Sequence, residues 1–161
     1  MGVIENEEDV MSEAIEKNYE KQATYAQRMA QLKKAVVNGF YFEAIFLEYA
    51  VLEDRTESVL VHEGSVKLTN RRGNPLSLYD KIKLLRDNKA FSDKYVRTRI
   101  TEELLESIDK WRVRRNDLVN ELMKNTIPYE ELKEVAMDGM SLIKTFDSKA
   151  KSVNLYFDKR K

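Results

Sequence analysis

The sequence contains no cysteine, one histidine, 5 glycines and 2 prolines among its 161 residues. Without cysteine the chain has no disulfides, thiolate chemistry or cysteine-bound zinc, and the lone His62 excludes a centre with several histidine ligands. Few glycines and prolines disfavour a sandwich or barrel of short strands, which needs many tight turns. Because the chain also lacks a glycine-rich phosphate loop and a Glu-x-x-His pair, we expect an all-α protein that uses neither a metal nor another cofactor.

Charge is balanced overall, with 28 basic and 28 acidic residues, but it is unevenly distributed. Residues 1–80 carry 9 basic and 14 acidic side chains, and residues 81–161 carry 19 and 14. The second half of the chain therefore has enough positive charge for a basic face, although solvated helix surfaces with a local bias explain the same counts.

No apolar run has the length of a membrane span, and the acidic N-terminus lacks the apolar core of a signal peptide, so we expect a cytoplasmic protein with no membrane contact.

Apolar residues recur at intervals of three and four along most of the chain, which is the spacing of one helix face. The pattern predicts five helices, over about 7–37, 40–62, 75–88, 101–124 and 128–157. One apolar stripe on each helix indicates a single-domain bundle, which we expect to run up and down with long first and last helices. The expected core covers about residues 8–157, with frayed ends at 1–7 and 158–161.

Capping residues and helix breakers set these boundaries. Asn38-Gly39 ends the first helix, Asn74 reads as an N-cap with Pro75 in the first turn of the third, and Thr101 reads as the N-cap of the fourth. Residues 89–100 are expected to form a connector between the third and fourth helices.

One arginine falls in the middle of the apolar stripe of the predicted fourth helix. The apolar members of that stripe are Leu104, Ile108, Trp111, Leu118 and Leu122. Arg115 interrupts the stripe, and a guanidinium group keeps its charge in proteins, so it requires a partner there. Two interpretations remain open. Arg115 pairs with a carboxylate, for which Glu48 on the inward side of the second helix is a candidate, or it lies in a cleft and binds phosphate through two hydrogen bonds.

The segment Arg115-Asn116-Asp117-Leu118-Val119-Asn120 resembles the signature of the HEPN domain superfamily, an arginine followed after four to six residues by a histidine and often written R-N-x-x-x-H. The aromatic, alanine-containing and acidic pattern of residues 41–53 is similar to that of the first long HEPN helices. The resemblance covers about residues 8–157. It implies a HEPN-like bundle, metal-independent RNA cleavage, and a homodimer whose interface brings two motifs together into one composite site.

The chain departs from this pattern where the family has its histidine, because Asn120 occupies that position. In the implied reaction histidine moves a proton while Arg115 stabilises the phosphate, and asparagine cannot shuttle protons near neutral pH. The resemblance places Arg115, Asn116 and Asn120 at the catalytic position, and we expect little or no ribonuclease activity. A natural non-catalytic member and a nuclease whose histidine has been replaced both fit this sequence.

Two functions follow as hypotheses. The first is a HEPN-like RNA-binding or ribonuclease-type protein of a phage-defence or toxin–antitoxin system, in which Arg112, Arg114, Arg71 and Arg72 also contact RNA. The second is a non-catalytic helical interaction protein that binds an antitoxin or accessory protein, with its acidic first helix as the contact surface. A homodimer in which two Arg115 side chains face one cleft would favour the first function.

Overall fold

The structure, a computed structural model, describes residues 7–64, 67–87 and 92–161. Within these ranges the chain is helical, apart from turns and an isolated antiparallel bridge between Thr69 and Pro75. The six helices are α1 (Glu7–Val37), α2 (Tyr41–Glu63), α3 (Leu78–Asp87), α4 (Lys94–Arg99), α5 (Glu102–Glu121) and α6 (Tyr129–Lys159). The all-α class is confirmed, and the expected count of five helices is wrong. The first six residues of the segment expected to fray, 1–7, lie outside the described ranges.

Helix α2 occupies the middle of the bundle because its sequence is apolar around most of its circumference. It packs against α1, α3 and α6, and α6 also contacts α4 and α5. The buried apolar side chains of α2 are Ala44, Ile45, Val51, Leu52, Val59 and Leu60. Among the described residues, no helix combines the length and the apolar character needed to cross a membrane.

The turn between α1 and α2 also fixes the start of α6. Gly39 adopts a φ of +74°, a left-handed conformation that favours glycine. The carbonyl of Gly39 accepts a hydrogen bond from the Tyr129 hydroxyl at 3.0 Å, and the ring of Tyr129 packs on that of Tyr41 with centroids 5.1 Å apart. The first residue of α6 is therefore held against the α1–α2 turn.

The unexpected helix is α4, which lies in the part of the chain expected to be a connector. Asp93 caps it by accepting a hydrogen bond from the Tyr95 backbone N–H at 2.8 Å, and Val96 is fully buried. The same carboxylate accepts hydrogen bonds from the Tyr156 hydroxyl at 2.7 Å and from Arg160 at 2.9 Å. These contacts attach α4 to the last turns of α6. Residues 89–91 of the expected connector lie outside the described ranges, as does residue 88, the expected end of the third helix.

Helix α3 begins three residues later than expected. Ser77, and not Asn74, provides its cap, because the Ser77 hydroxyl accepts a hydrogen bond from the Asp80 backbone N–H at 3.2 Å. Asn74 instead belongs to a tight loop in which the Asn70 side chain accepts hydrogen bonds from the backbone N–H groups of Arg72 and Asn74, at 2.9 and 3.0 Å. The predicted N-cap at Asn74 is wrong, because a local side-chain to backbone network holds that residue in the loop.

Candidate functional site

Helix α5 carries the motif segment and has a well-defined start. The Thr101 hydroxyl accepts a hydrogen bond from the Leu104 backbone N–H at 3.1 Å, which confirms the predicted N-cap. Glu102 and Glu103 lie in the first turn, where the helix dipole favours negative charge. The residues that α5 buries are Leu105, Ile108, Trp111 and Leu118. Arg115 follows Trp111 by one turn and lies next to α2.

Arg115 is half-buried and stacks on two aromatic rings of α2. Its guanidinium carbon lies 4.4 Å from the ring centroid of Tyr49 and 4.8 Å from that of Phe46. Its Nη1 donates a hydrogen bond to the Asn116 side-chain oxygen at 2.9 Å, whereas its Nε is buried and has no acceptor. Burial lowers the pKa of Arg115, but a guanidinium group remains protonated at neutral pH. No carboxylate of the described residues pairs with this side chain.

The expected pair between Arg115 and Glu48 is not formed. Glu48 is fully buried on the side of α2 that faces α6, whereas Arg115 lies over residues on the adjacent side. Neither carboxylate oxygen of Glu48 has a hydrogen-bond partner within the described chain. Burial, with a further contribution from Asp138, raises the pKa of Glu48 to about 9. Glu48 is therefore protonated at neutral pH and offers Arg115 no charge.

Close packing between α2, α5 and α6 encloses the Glu48 carboxyl group. A methyl group added to Gly139 of α6 would lie 2.6 Å from the Glu48 Oε1 and 2.8 Å from the Trp111 ring. The Trp111 indole N–H donates a hydrogen bond to the backbone oxygen of Val135 at 2.9 Å. Only 4% of Trp111 is exposed, as expected for a member of the apolar stripe of α5. It fixes α5 against α6 and thereby the position of Arg115 one turn later.

The motif residues are only partly brought together. Asn116 is half-buried and accepts the hydrogen bond from Arg115. Asn120 is exposed on α5, about 140° around the helix axis from Arg115 and about 7.5 Å along it. Within the described chain, the Asn120 side chain makes no hydrogen bond with Arg115. A base at position 120 would be open to solvent beside the guanidinium group and would not be enclosed with it.

The neighbouring arginines of α5 extend toward different helices. Arg112 pairs with Asp109 at 2.8 Å and lies over the ring of Tyr79 in α3, 5.1 Å from its centroid. Arg114 forms ion pairs with Glu134 and Asp138 of α6, at 3.2 and 3.3 Å. Because Arg115 packs on α2, these three arginines do not form one continuous basic patch.

The loop between α2 and α3 holds the other two arginines expected to contact RNA. Arg71 and Arg72 are exposed, and neither guanidinium group makes an ion pair with the residues that the structure describes. The Asn70 network holds the backbone of this loop in place. Both side chains are therefore accessible to an anionic ligand.

Sequence reasoning missed the aromatic surface beside Arg115. Phe42 and Phe46 are 37% and 44% exposed, and their rings make an edge contact with centroids 5.0 Å apart. The apolar residues around most of the circumference of α2 do not by themselves separate these exposed rings from buried ones. Phe42 and Phe46 are four residues apart and therefore neighbours on one side of the helix, away from Ala44 and Val51. This arrangement in the sequence could have indicated a separate aromatic surface. We call Phe42, Phe46 and Tyr49 the α2 aromatic patch.

The described residues contain no group of three or more histidine, aspartate or glutamate side chains placed to hold a metal ion. The chemistry that the Arg115 site offers is therefore that of a fixed cation, an amide and aromatic faces. Comparison of the chain with known protein families, with curated proteins and with solved structures finds no match in any of the three.

Proposed function

We propose that this chain is a HEPN-like RNA-binding protein of a phage-defence or toxin–antitoxin system, with a degenerate site that does not cleave RNA. The observation that supports this function most directly is the environment of Arg115. A half-buried guanidinium group, stacked on Phe46 and Tyr49 and without a carboxylate partner in the described chain, is held ready for an external anion. A phosphate group would compensate its loss of hydration and accept two hydrogen bonds from it.

The aromatic patch suits a single-stranded RNA ligand. Nucleobases stack on aromatic side chains and on guanidinium planes, whereas backbone phosphates bind the cation itself. Phe42 and Phe46 present such faces beside Arg115. The Nε of Arg115 is sealed from solvent, so the terminal amino groups would make the phosphate contacts.

The same patch suits a homodimer interface. Two exposed phenylalanines in contact form an apolar surface of the kind that a second subunit covers. A two-fold axis near this patch would bring two Arg115 side chains to one cleft, as the resemblance to HEPN domains implies. We therefore propose that RNA binds in a composite site between two copies of the chain.

Position 120 explains the proposed lack of cleavage. Asparagine donates and accepts hydrogen bonds but transfers no proton near neutral pH, so neither the attacking hydroxyl nor the leaving oxygen has a catalyst there. Asn116 is the only motif neighbour hydrogen-bonded to Arg115 in the described chain. It orients the cation and takes no part in proton transfer.

A second candidate function is a non-catalytic interaction protein, and the α2 aromatic patch also favours it. An antitoxin or accessory protein could cover Phe42 and Phe46 in place of a second subunit. RNA binding that depends on Arg115 distinguishes the two functions, since a purely protein-binding surface would not require it.

The test is fluorescence anisotropy with a labelled single-stranded RNA of mixed sequence. The Arg115→Ala variant should bind RNA about tenfold to a hundredfold more weakly than the wild type, because it loses charge-assisted hydrogen bonds to phosphate. The matched control is Lys110→Ala, which removes one positive charge from a largely exposed side chain of the same helix. An equal loss in both variants, or no RNA binding by the wild type, would refute the proposal.

A further inference from the structure

A cationic cavity lies between α1, α2 and α6 and involves none of the motif residues. Its volume is about 460 Å³, within the usual range for small-ligand sites. The basic and polar side chains that line it include Lys21, Arg55, Lys151, His62, Ser58 and Gln22. We call it the α1–α2–α6 cavity. It differs from the Arg115 site because its cations come from three helices and line one concave surface.

Asp147 holds two of the basic groups in place from outside the cavity wall. It accepts a hydrogen bond from the Tyr25 hydroxyl at 3.0 Å, pairs with Lys151 at 2.9 Å, and lies 4.0 Å from the Arg55 guanidinium. Arg55 also covers the Tyr25 ring, 3.9 Å from its centroid, and only 16% of its side chain is exposed. These contacts fix the Arg55 head group, which reduces the entropy that a ligand must remove on binding.

The side chains that line the cavity are basic or neutral, and the acids that pair with them lie behind the wall. None of the described carboxylates lines the cavity. Arg55 pairs with Asp54, Lys151 pairs with Asp147, and His62 contacts Asp158 at 2.7 Å, but all three acids lie outside the wall. Lys21 is exposed and makes no ion pair within the described part of the chain, so its charge is uncompensated.

From this arrangement we infer that the α1–α2–α6 cavity binds a small phosphomonoester. Lys21, which makes no ion pair in the described chain, together with Arg55 and Lys151, which carboxylates behind the wall hold in place, suits a dianionic phosphate, for which arginine and lysine are the usual protein ligands. The cavity is several times larger than a phosphate ion, and the Val61 side chain and the Tyr25 ring give part of its wall an apolar character. An organic group attached to the phosphate would fill that part. A long RNA backbone would need an open groove instead.

The experiment is isothermal titration calorimetry with inorganic phosphate, ribose 5-phosphate and phenyl phosphate on the full chain. At least one ester should bind more tightly than inorganic phosphate, and the preferred ester shows whether the organic group is a polar sugar or an aromatic ring. Lys21→Gln and Lys151→Gln should each weaken binding about tenfold, through loss of a hydrogen bond to a charged group. Lys144→Gln is the matched control, because Lys144 is exposed on α6 and does not line the cavity.

Three outcomes of these titrations would overturn the inference. Failure of all three compounds to bind the folded wild type would show that the cavity is not a phosphate site. An equal effect of Lys144→Gln and Lys21→Gln would show attraction to general positive charge only. Equal affinity for inorganic phosphate and both esters would contradict the phosphomonoester assignment. Lys21 is exposed, so Lys21→Gln should keep the fold and leaves the test decisive if Lys151→Gln fails to fold.

Discussion

Replacing Glu48 with glutamine should remove a strong pH dependence from the stability of this protein. Glu48 is fully buried, its carboxylate oxygens have no hydrogen-bond donor in the described chain, and its pKa is raised from 4.5 to about 9. Between these two values the folded state keeps the proton while the unfolded state has lost it. The folded state then binds more protons than the unfolded state, so the free energy of unfolding decreases as pH rises.

The size of the effect follows from proton linkage. One additional proton bound in the folded state changes the free energy of unfolding by about 1.4 kcal/mol for each pH unit. Between about pH 5 and about pH 8, this single group should therefore remove about 4 kcal/mol from the stability of the wild type. Glutamine is close to glutamic acid in shape and carries no charge in either state. Glu48→Gln should match the wild type at about pH 5 and exceed its stability by about 4 kcal/mol at about pH 8.

The assay is urea unfolding followed by far-UV circular dichroism at both pH values, for the wild type, Glu48→Gln and Glu43→Gln. Glu43 is exposed on the same helix, so its replacement should preserve the pH dependence of the wild type. Identical pH dependence in the wild type and Glu48→Gln would refute the reasoning. It would mean that the carboxyl group is hydrated or ionised in the folded protein, contrary to its enclosed position between α2, Trp111 and Gly139.

Two further predictions concern the same helices. Gly139→Ala should destabilise the protein by about 1–3 kcal/mol in chemical denaturation, because the added methyl group meets Glu48 and Trp111. This loss is expected although alanine is normally the better helix former. A gain in stability would show that α2 and α6 are less closely packed. Asn120→His should introduce RNA cleavage, measured on a labelled transfer RNA or messenger RNA. The activity should disappear in the double variant that also carries Arg115→Ala. A histidine variant as inactive as the wild type would contradict a nuclease site that lacks only its histidine.

The positions of the long helices were largely predictable, because breakers and caps are local signals. Residues 7–37 were predicted with the bounds that α1 has, and Thr101 was recognised as the cap of α5. Helix α4 was missed because six residues are too few to show a helical period. What stabilises it is a cap at Asp93 and contacts with Tyr156 and Arg160, far away in sequence.

For the candidate site, the sequence predicts which face of its helix each side chain occupies, but it does not predict which neighbouring residues that side chain contacts. The helical pattern correctly placed Glu48 on the inward side of α2 and Arg115 within the stripe of α5, where it is half-buried. It did not reveal which neighbouring helix each side chain meets, since that depends on the rotation of packed helices. Glu48 faces α6 and is neutral, whereas Arg115 meets the α2 aromatic patch. The same limitation hid the separate directions of Arg112 and Arg114.

The absence of cysteine allows the most direct test of the proposed composite site, because a single introduced cysteine is the only thiol in the chain. Asn120→Cys places that thiol on the exposed side of the motif, and Lys144→Cys places it on an exposed part of α6 as a control. With a short bifunctional maleimide, Asn120→Cys should yield a covalent dimer that RNA protects from cross-linking, whereas Lys144→Cys should stay monomeric on a denaturing gel. Absence of the dimer in Asn120→Cys, or equal cross-linking of both variants, would contradict two Arg115 motifs facing one cleft.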